Sequence, residues 1–152
     1  MSLLNAVINR VGDVLLREEL QDRVDIVQHK IRFMEKVPVM FLDSGNNAVN
    51  ELEWLLDAAG GELVAGPGLA RVLIFQETGT GMLQLMGTVP GLLDTGWPAV
   101  EYDRVYLWEA PDSAAVDAPR AVEALEDIAE MLYPGHFVFG NEGRNWMSFK
   151  MQ

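Results

Sequence analysis

Three acidic residues mark the positions at which this sequence could carry out chemistry. Asp43, Glu77 and Glu109 each stand at or just after the end of a short apolar run. If these runs are neighbouring strands of a parallel sheet, their carboxyl ends meet at one edge and the carboxylates converge. Such a cluster could bind a cation, hold a divalent metal or perform acid–base catalysis. We favour the alternative that these acids cap helices or face solvent, because a chain of net charge −12 places carboxylates at most strand ends.

The other reactive residue types are scarce. The sequence has no Cys, which excludes disulfides and thiolate chemistry, and only two His, His29 and His136. Gly79-Thr80-Gly81 lacks the spacing and the Lys-Ser/Thr end of a phosphate-binding loop, and Ser44 does not lie in a Gly-x-Ser-x-Gly pattern. The 23 acidic residues against 11 basic ones repel a phosphate backbone, so nucleic acid is not an expected partner. We therefore predict no catalytic residue and no cofactor, and the sequence leaves metal binding open.

The loops after the strands are the expected place for a small-molecule ligand. In open α/β sheets, ligands bind outside the carboxyl ends of the strands, and Trp side chains there offer a flat contact surface. We expect Trp54 in the core instead, because it lies between Leu52 and Leu55 in a helical pattern. The predicted ligand contacts are Asn46, Asn47, Glu77, Thr78, Trp97 and Trp108.

Three apolar runs of strand length must position these residues. Val37–Leu42, Val72–Phe75 and Arg104–Trp108 do not alternate with polar residues, which is typical of strands buried on both faces. Each run is followed by a polar or Gly-rich loop and then by a helical pattern. This order predicts an α/β fold, a three-layer αβα lobe around a short parallel sheet. The predicted helices cover about residues 48–59, 82–86 and 119–133, and the predicted core residues of the central strands are Ile74, Phe75, Val105 and Leu107.

The first 36 residues differ from the rest in charge. They hold six basic and six acidic residues, so the remaining 116 residues carry the whole net charge of −12. Apolar residues recur at steps of three and four from Leu4 to Met34, which predicts one long helix over about residues 3–35, bent at Gly12. We therefore divide the chain into a long N-terminal helix, 1–36, and a single α/β lobe, 37–152. The apolar seam of this helix is too long for one small lobe to cover, which predicts a homodimer joined through it.

Four segments after residue 36 share their order and spacing with a known family. They are the strand, turn and helix from Phe41 to Gly61, the strand Arg71-Val-Leu-Ile-Phe-Gln76, the stretch Gly96-Trp-Pro-Ala-Val-Glu-Tyr-Asp-Arg-Val-Tyr-Leu107, and the helix Ala118-Pro-Arg-Ala-Val-Glu-Ala-Leu-Glu-Asp-Ile-Ala-Glu-Met-Leu-Tyr-Pro134. Together they resemble the C-terminal lobe of the helical-backbone periplasmic substrate-binding proteins, the cobalamin and iron-siderophore receptors of ABC importers. The long first helix is similar to the rigid helix that joins the two lobes of that family.

The resemblance implies a non-catalytic binding module for a small molecule such as a corrinoid or a metal chelate. The chain would be a fragment of a two-lobed receptor or a degenerate single-lobe relative. It lacks the family's helix that docks on the permease after Gly61, and Ser113-Ala114 stands where the family has an aromatic pair, so an ABC permease is not an expected partner. The resemblance implies a periplasmic location if the chain is a trimmed piece; without a signal peptide at its start, a complete chain would be cytoplasmic.

Two other functions remain open at the level of the sequence. A small enzyme could use Asp43, Glu77 and Glu109 around a divalent metal, and calorimetric titration with magnesium or manganese would separate it from a binding module. An interaction protein could instead dimerise through its N-terminal helix.

Overall fold

The computed structural model describes residues 2–77 and 81–149, in which six α-helices and five strands follow one another. In chain order they are α1 (Leu3–Asn9), α2 (Val14–Ile31), β1 (Val37–Leu42), α3 (Glu53–Ala58), β2 (Gly61–Leu63), β3 (Val72–Phe75), α4 (Met82–Thr88), α5 (Pro98–Glu101), β4 (Val105–Trp108), α6 (Ala118–Leu132) and β5 (Trp146–Phe149). Short 3₁₀ turns precede β3 and follow α4. None of these helices is both long and apolar enough to cross a membrane.

The five strands form one sheet in the order β2-β1-β3-β4-β5. The first four are parallel, and β5 pairs with β4 in the antiparallel direction. The three predicted strands are confirmed at the centre of this sheet. The two edge strands were not predicted: β2 has only three residues, and β5 lies in the stretch after α6 that the sequence analysis left without structure.

Side chains of the central strands alternate between two hydrophobic clusters, which makes the fold the predicted three-layer αβα arrangement. Phe41, Ile74 and Trp108 point to the face covered by α1, α2, α3 and α6. Leu42 and Phe75 point to the opposite face, which α4 and α5 cover. The four predicted core residues are confirmed, since Ile74, Phe75, Val105 and Leu107 are at most 1% exposed.

The single long N-terminal helix is wrong, because the chain breaks between α1 and α2. Asp13 accepts a hydrogen bond from the backbone N–H of Leu16 at 3.2 Å and so caps the start of α2. Gly12, just before this cap, favours the break because only proline has a lower helix propensity than glycine. The break lets both helices pack on α6. Residues 1–36 therefore share one core with the lobe, and the sequence boundary near Lys36 coincides with the start of β1.

Most of the apolar seam of the N-terminal segment is buried inside the monomer. Leu20, Val24 and Val27 are fully buried, and Ile8 is as well. Arg23 on the same helix forms a two-pronged ion pair with Glu126 of α6, with nitrogen–oxygen distances of 2.5 and 3.1 Å. The monomer thus covers most of the seam from which the homodimer was predicted, and Leu15 stays exposed. The homodimer itself stays a prediction.

Candidate functional site

The loop after β1 is held by its own first residue. The Asp43 carboxylate accepts hydrogen bonds from the backbone N–H groups of Gly45 and Asn47, both at 2.9 Å. Asn46 has a φ of +64°, a left-handed conformation that asparagine tolerates better than most residues. Because this turn and an isolated bridge between Leu42 and Ala48 use the chain up to residue 48, α3 begins only at Glu53 and is shorter than predicted.

The other two strand-end acids connect neighbouring loops. The Ser44 hydroxyl donates a 2.5 Å hydrogen bond to Glu77 after β3. Glu109 after β4 accepts a 2.9 Å hydrogen bond from the backbone N–H of Met82 at the start of α4. Within residues 2–77 and 81–149, no three His, Asp or Glu side chains lie together as a metal site would need. These contacts support the favoured interpretation, in which the acids hold loops rather than gather around a metal.

A cleft of about 280 Å³ opens beside the carboxyl end of β3, and we call it the tryptophan cleft. Trp54 is half-buried on one side of it and Pro111 lies on the other. Its lining residues are Glu51, Leu52, Trp54, Gln76, Pro111, Asp112, Ala114 and Ala115.

Gln76 is the buried polar residue of the tryptophan cleft. It is only 4% exposed, and its backbone N–H donates to the carbonyl oxygen of Leu42 at 2.8 Å. Its side-chain amide makes no hydrogen bond to the described residues. Among these residues no fully buried side-chain nitrogen or oxygen lacks a partner, so the polar atoms of the amide are open to the cleft. The amide therefore offers one carbonyl oxygen and two N–H donors to whatever occupies the cleft.

A second cleft of about 440 Å³ lies on the other side of Pro111 and Asp112, and we call it the acidic cleft. Its one basic residue in the described part of the chain is Arg120, which already pairs with Glu123 at 3.1 Å. The two clefts share Pro111 and Asp112 as lining residues, and we call the two neighbouring clefts together the groove. The acidic cleft is lined by Glu77, Gly81, Glu109, Ala110, Pro111, Asp112, Arg120 and Asn145.

A buried polar cluster beneath the acidic cleft connects it to α6. Asp127 is 2% exposed and accepts hydrogen bonds from the Trp108 indole N–H at 3.1 Å and from the Asn145 amide at 3.2 Å. Burial raises the pKa of Asp127 from 3.8 to about 6, although these hydrogen bonds lower it and the nearby Glu123 raises it further. Asn145 reaches the edge as well, because its carbonyl oxygen accepts from the backbone N–H of Glu109 at 2.8 Å.

The predicted ligand contacts separate into three groups. Asn46 and Asn47 are exposed in the loop after β1, and Glu77 lines the acidic cleft, so all three lie at the expected edge. Thr78 lies outside the described residues. The two predicted Trp residues do not lie where a ligand at this edge would touch them.

Trp108 is a core residue and not a ligand contact. It is fully buried and stacks on Phe41 with ring centroids 6.0 Å apart, and its indole N–H donates a hydrogen bond to Asp127. Trp97 precedes α5, which leads into the amino end of β4, and its ring packs against the second hydrophobic cluster. Trp97 is thus near the opposite end of the sheet from the clefts.

Sequence reasoning missed the residues that line the tryptophan cleft. Trp54 packs against the first hydrophobic cluster, as expected, but it is only partly buried. Because α3 begins at Glu53, Trp54 lies in the first turn of the helix and also lines the cleft, which was not predicted. Gln76 offered a usable signal, because it is the first polar residue after the buried run of β3. Asp112 offered a weaker one, as the last residue of a loop that was already a candidate.

Three solved structures show what this fold is similar to, while no protein-family model and no curated protein matches the sequence. An ABC transporter substrate-binding protein from Listeria monocytogenes is 18% identical with a TM-score of 0.59, over 78% of this chain and 55% of that one. A TroA-like periplasmic binding protein from Veillonella parvula is 13% identical with a TM-score of 0.59, over 80% and 46%. A periplasmic heme-binding protein from Pseudomonas aeruginosa is 16% identical with a TM-score of 0.52, over 79% and 51%.

The chain spans about half the length of these solved proteins. Because the sequence identities are only 13–18%, the similarity shows that the folds are alike and no more. The chain has the αβα fold of one lobe of a periplasmic substrate-binding protein.

Proposed function

We propose that this chain is a non-catalytic binding module and that the tryptophan cleft is its small-molecule site. The observation that carries the proposal is Gln76, a nearly buried side chain whose amide is open to the cleft and makes no hydrogen bond to the described residues. Trp54 supplies a flat apolar surface beside it. A concave site with an aromatic wall and a few directed polar groups is the usual form of a small-molecule pocket.

The strand-end acids support binding rather than catalysis. Asp43 closes its own turn, Glu77 accepts from Ser44, and Glu109 accepts from the start of α4. Each carboxylate therefore stabilises a loop or a helix start at the rim of the groove. A non-enzymatic role also agrees with the substrate-binding proteins that share the fold.

We base the proposed ligand class and setting on the family that the sequence resembles. A corrinoid or another metal chelate would place one edge in the cleft, because about 280 Å³ holds a side group and not a whole macrocycle. We place the chain in the periplasm on the same ground, as one lobe of a receptor or as a single-lobe relative. Coupling to a permease is not part of this proposal.

Self-association of the chain needs a different surface from the predicted one. A homodimer through the N-terminal segment would have to use the outer side of α2, where Leu15 and Ile26 are 78% and 52% exposed. They lie eleven residues apart, which is close to three helical turns, so they share a side. Light scattering tests this dimer: a particle of 16.9 kDa contradicts it.

The binding site is tested by NMR with a panel of cyanocobalamin, hemin, a ferric hydroxamate chelate and small aromatic fragments. A compound that binds as proposed shifts the side-chain amide of Gln76 and the indole N–H of Trp54. Gln76→Met keeps the length of the side chain and removes the amide, so affinity should fall about three- to tenfold, the worth of one hydrogen bond.

The matched control for this variant is Gln84→Met, at an exposed position of α4. It should leave the affinity unchanged. Gln76→Met should not destabilise the fold, because it removes an unpartnered buried polar group. If the variant unfolds more easily and panel compounds still bind with the parent affinity, Gln76 is a structural residue and the proposal is wrong.

A further inference from the structure

We infer that the groove is built for a ligand that carries net positive charge together with a planar or apolar part. This inference rests on the proposed function and names its ligand class. The groove consists of the tryptophan cleft and the acidic cleft, which share Pro111 and Asp112 as lining residues.

The charge of the groove comes from four carboxylates. Glu51 and Asp112 line the tryptophan cleft, and Glu77 and Glu109 join Asp112 in the acidic cleft. The hydrogen bond that Glu109 accepts comes from a neutral backbone N–H, so it leaves the negative charge of this carboxylate in place.

Among the described residues, the one basic side chain that lines the groove pairs with a carboxylate outside its lining. Arg120 lines the acidic cleft, but its guanidinium pairs with Glu123 at 3.1 Å. Arg144 also approaches Glu123, at 4.0 Å. The surrounding field has the same sign, because the whole chain carries a net charge of −12. An anionic ligand would therefore meet repulsion both inside the groove and on its way in.

The other two groups in the tryptophan cleft complete the description of the ligand. The ring of Trp54 offers a face to a flat or apolar group, and a cation over the face of an indole gains further attraction. The Gln76 amide offers a donor and an acceptor at the buried end. A positively charged chelate or heteroaromatic cation fits this combination, and a macrocycle with free carboxylates does not.

The test uses three planar probes of similar size: 1-methylquinolinium, quinoline and quinoline-2-carboxylate. Each is titrated at neutral pH and low salt while the resonances of the Gln76 amide and the Trp54 indole are followed. We expect the cation to bind at least about tenfold more tightly than the carboxylate, a difference of about 1.4 kcal/mol. Added salt should weaken the binding of the cation.

Asp112→Asn removes one charge from the shared lining of the two clefts and should weaken the cation at least about threefold, or about 0.7 kcal/mol. Asp22→Asn removes the same charge from the exposed surface of α2 and should leave the affinity nearly unchanged. If the carboxylate shifts both resonances at the same affinity as the cation, the charge inference is wrong and the proposed function stands. If no probe of any charge shifts them, the cleft does not bind planar molecules, and both fail.

Discussion

The buried carboxylate of Asp127 should lower the stability of the fold at neutral pH, compared with a variant that has an uncharged side chain at this position. Its pKa is raised from 3.8 to about 6 in the folded state, mainly because burial disfavours the charged form. The native state therefore binds a proton more tightly than the unfolded chain, so this group loses stability as the pH rises through the two values. One pKa unit corresponds to about 1.4 kcal/mol, so the cost is about 3 kcal/mol at about pH 7.5. At about pH 4.5 only the unfolded state is largely ionised, and the cost falls to about 1 kcal/mol.

Asp127→Asn removes this pH-dependent cost, although part of the gain is lost. The carbonyl oxygen of asparagine can still accept from Trp108, but its N–H₂ group meets the donor of Asn145. That loss does not change with pH. The stability of the variant relative to the parent should therefore be about 2 kcal/mol more favourable at about pH 7.5 than at about pH 4.5.

Urea unfolding followed by tryptophan fluorescence measures this difference, since Trp108 and Trp146 are buried. Comparing each variant with the parent at the same pH cancels the contributions of all other carboxylates. Asp22→Asn at the exposed surface is the matched control and should differ from the parent by less than about 0.5 kcal/mol at both pH values. If Asp127→Asn differs from the parent equally at both pH values, the carboxylate is not desolvated as described.

Three further predictions concern packing. Phe75→Ala should lower the free energy of unfolding by about 3–5 kcal/mol, because it empties a fully buried site on β3; a loss below about 1 kcal/mol in urea unfolding would contradict the strand assignment. Arg23→Met should cost about 2 kcal/mol at neutral pH, since it leaves Glu126 nearly buried and unpaired, and an unchanged urea midpoint would show that solvent satisfies that carboxylate. Leu20→Glu combined with Val27→Glu should abolish cooperative unfolding in circular dichroism rather than separate a dimer, because both positions are fully buried; a folded double variant would contradict this packing.

The three-layer architecture could be predicted because the sequence pattern of its central strands is clear. Val72–Phe75 and its neighbours are continuous apolar runs of strand length, each followed by a loop and a helix. Such runs have few alternative structures. The edge strands gave no comparable signal, since Gly61–Leu63 is too short for a pattern. Trp146–Phe149 forms only because Trp146 packs on Tyr106 and on α6, which are distant in sequence.

The site could be predicted as a place but not as a set of side chains. The edge followed from strand order, and Asn46, Asn47 and Glu77 do lie there. Which Trp faces the edge depended on where α3 begins, and that depended on how the loop from Asp43 closes on itself. Trp108 is buried because its side chain on β4 packs with Phe41 and α6, which are distant in sequence.

The central claim is that the tryptophan cleft receives a small molecule. The most direct measurement is a crystal structure of the protein with whichever panel compound shifts the NMR spectrum at the lowest concentration. We expect density in the cleft beside Trp54 and Pro111, with a polar atom of the compound within hydrogen-bond distance of the Gln76 amide. A compound bound elsewhere, with Gln76 paired to a protein group and the cleft closed, would contradict it.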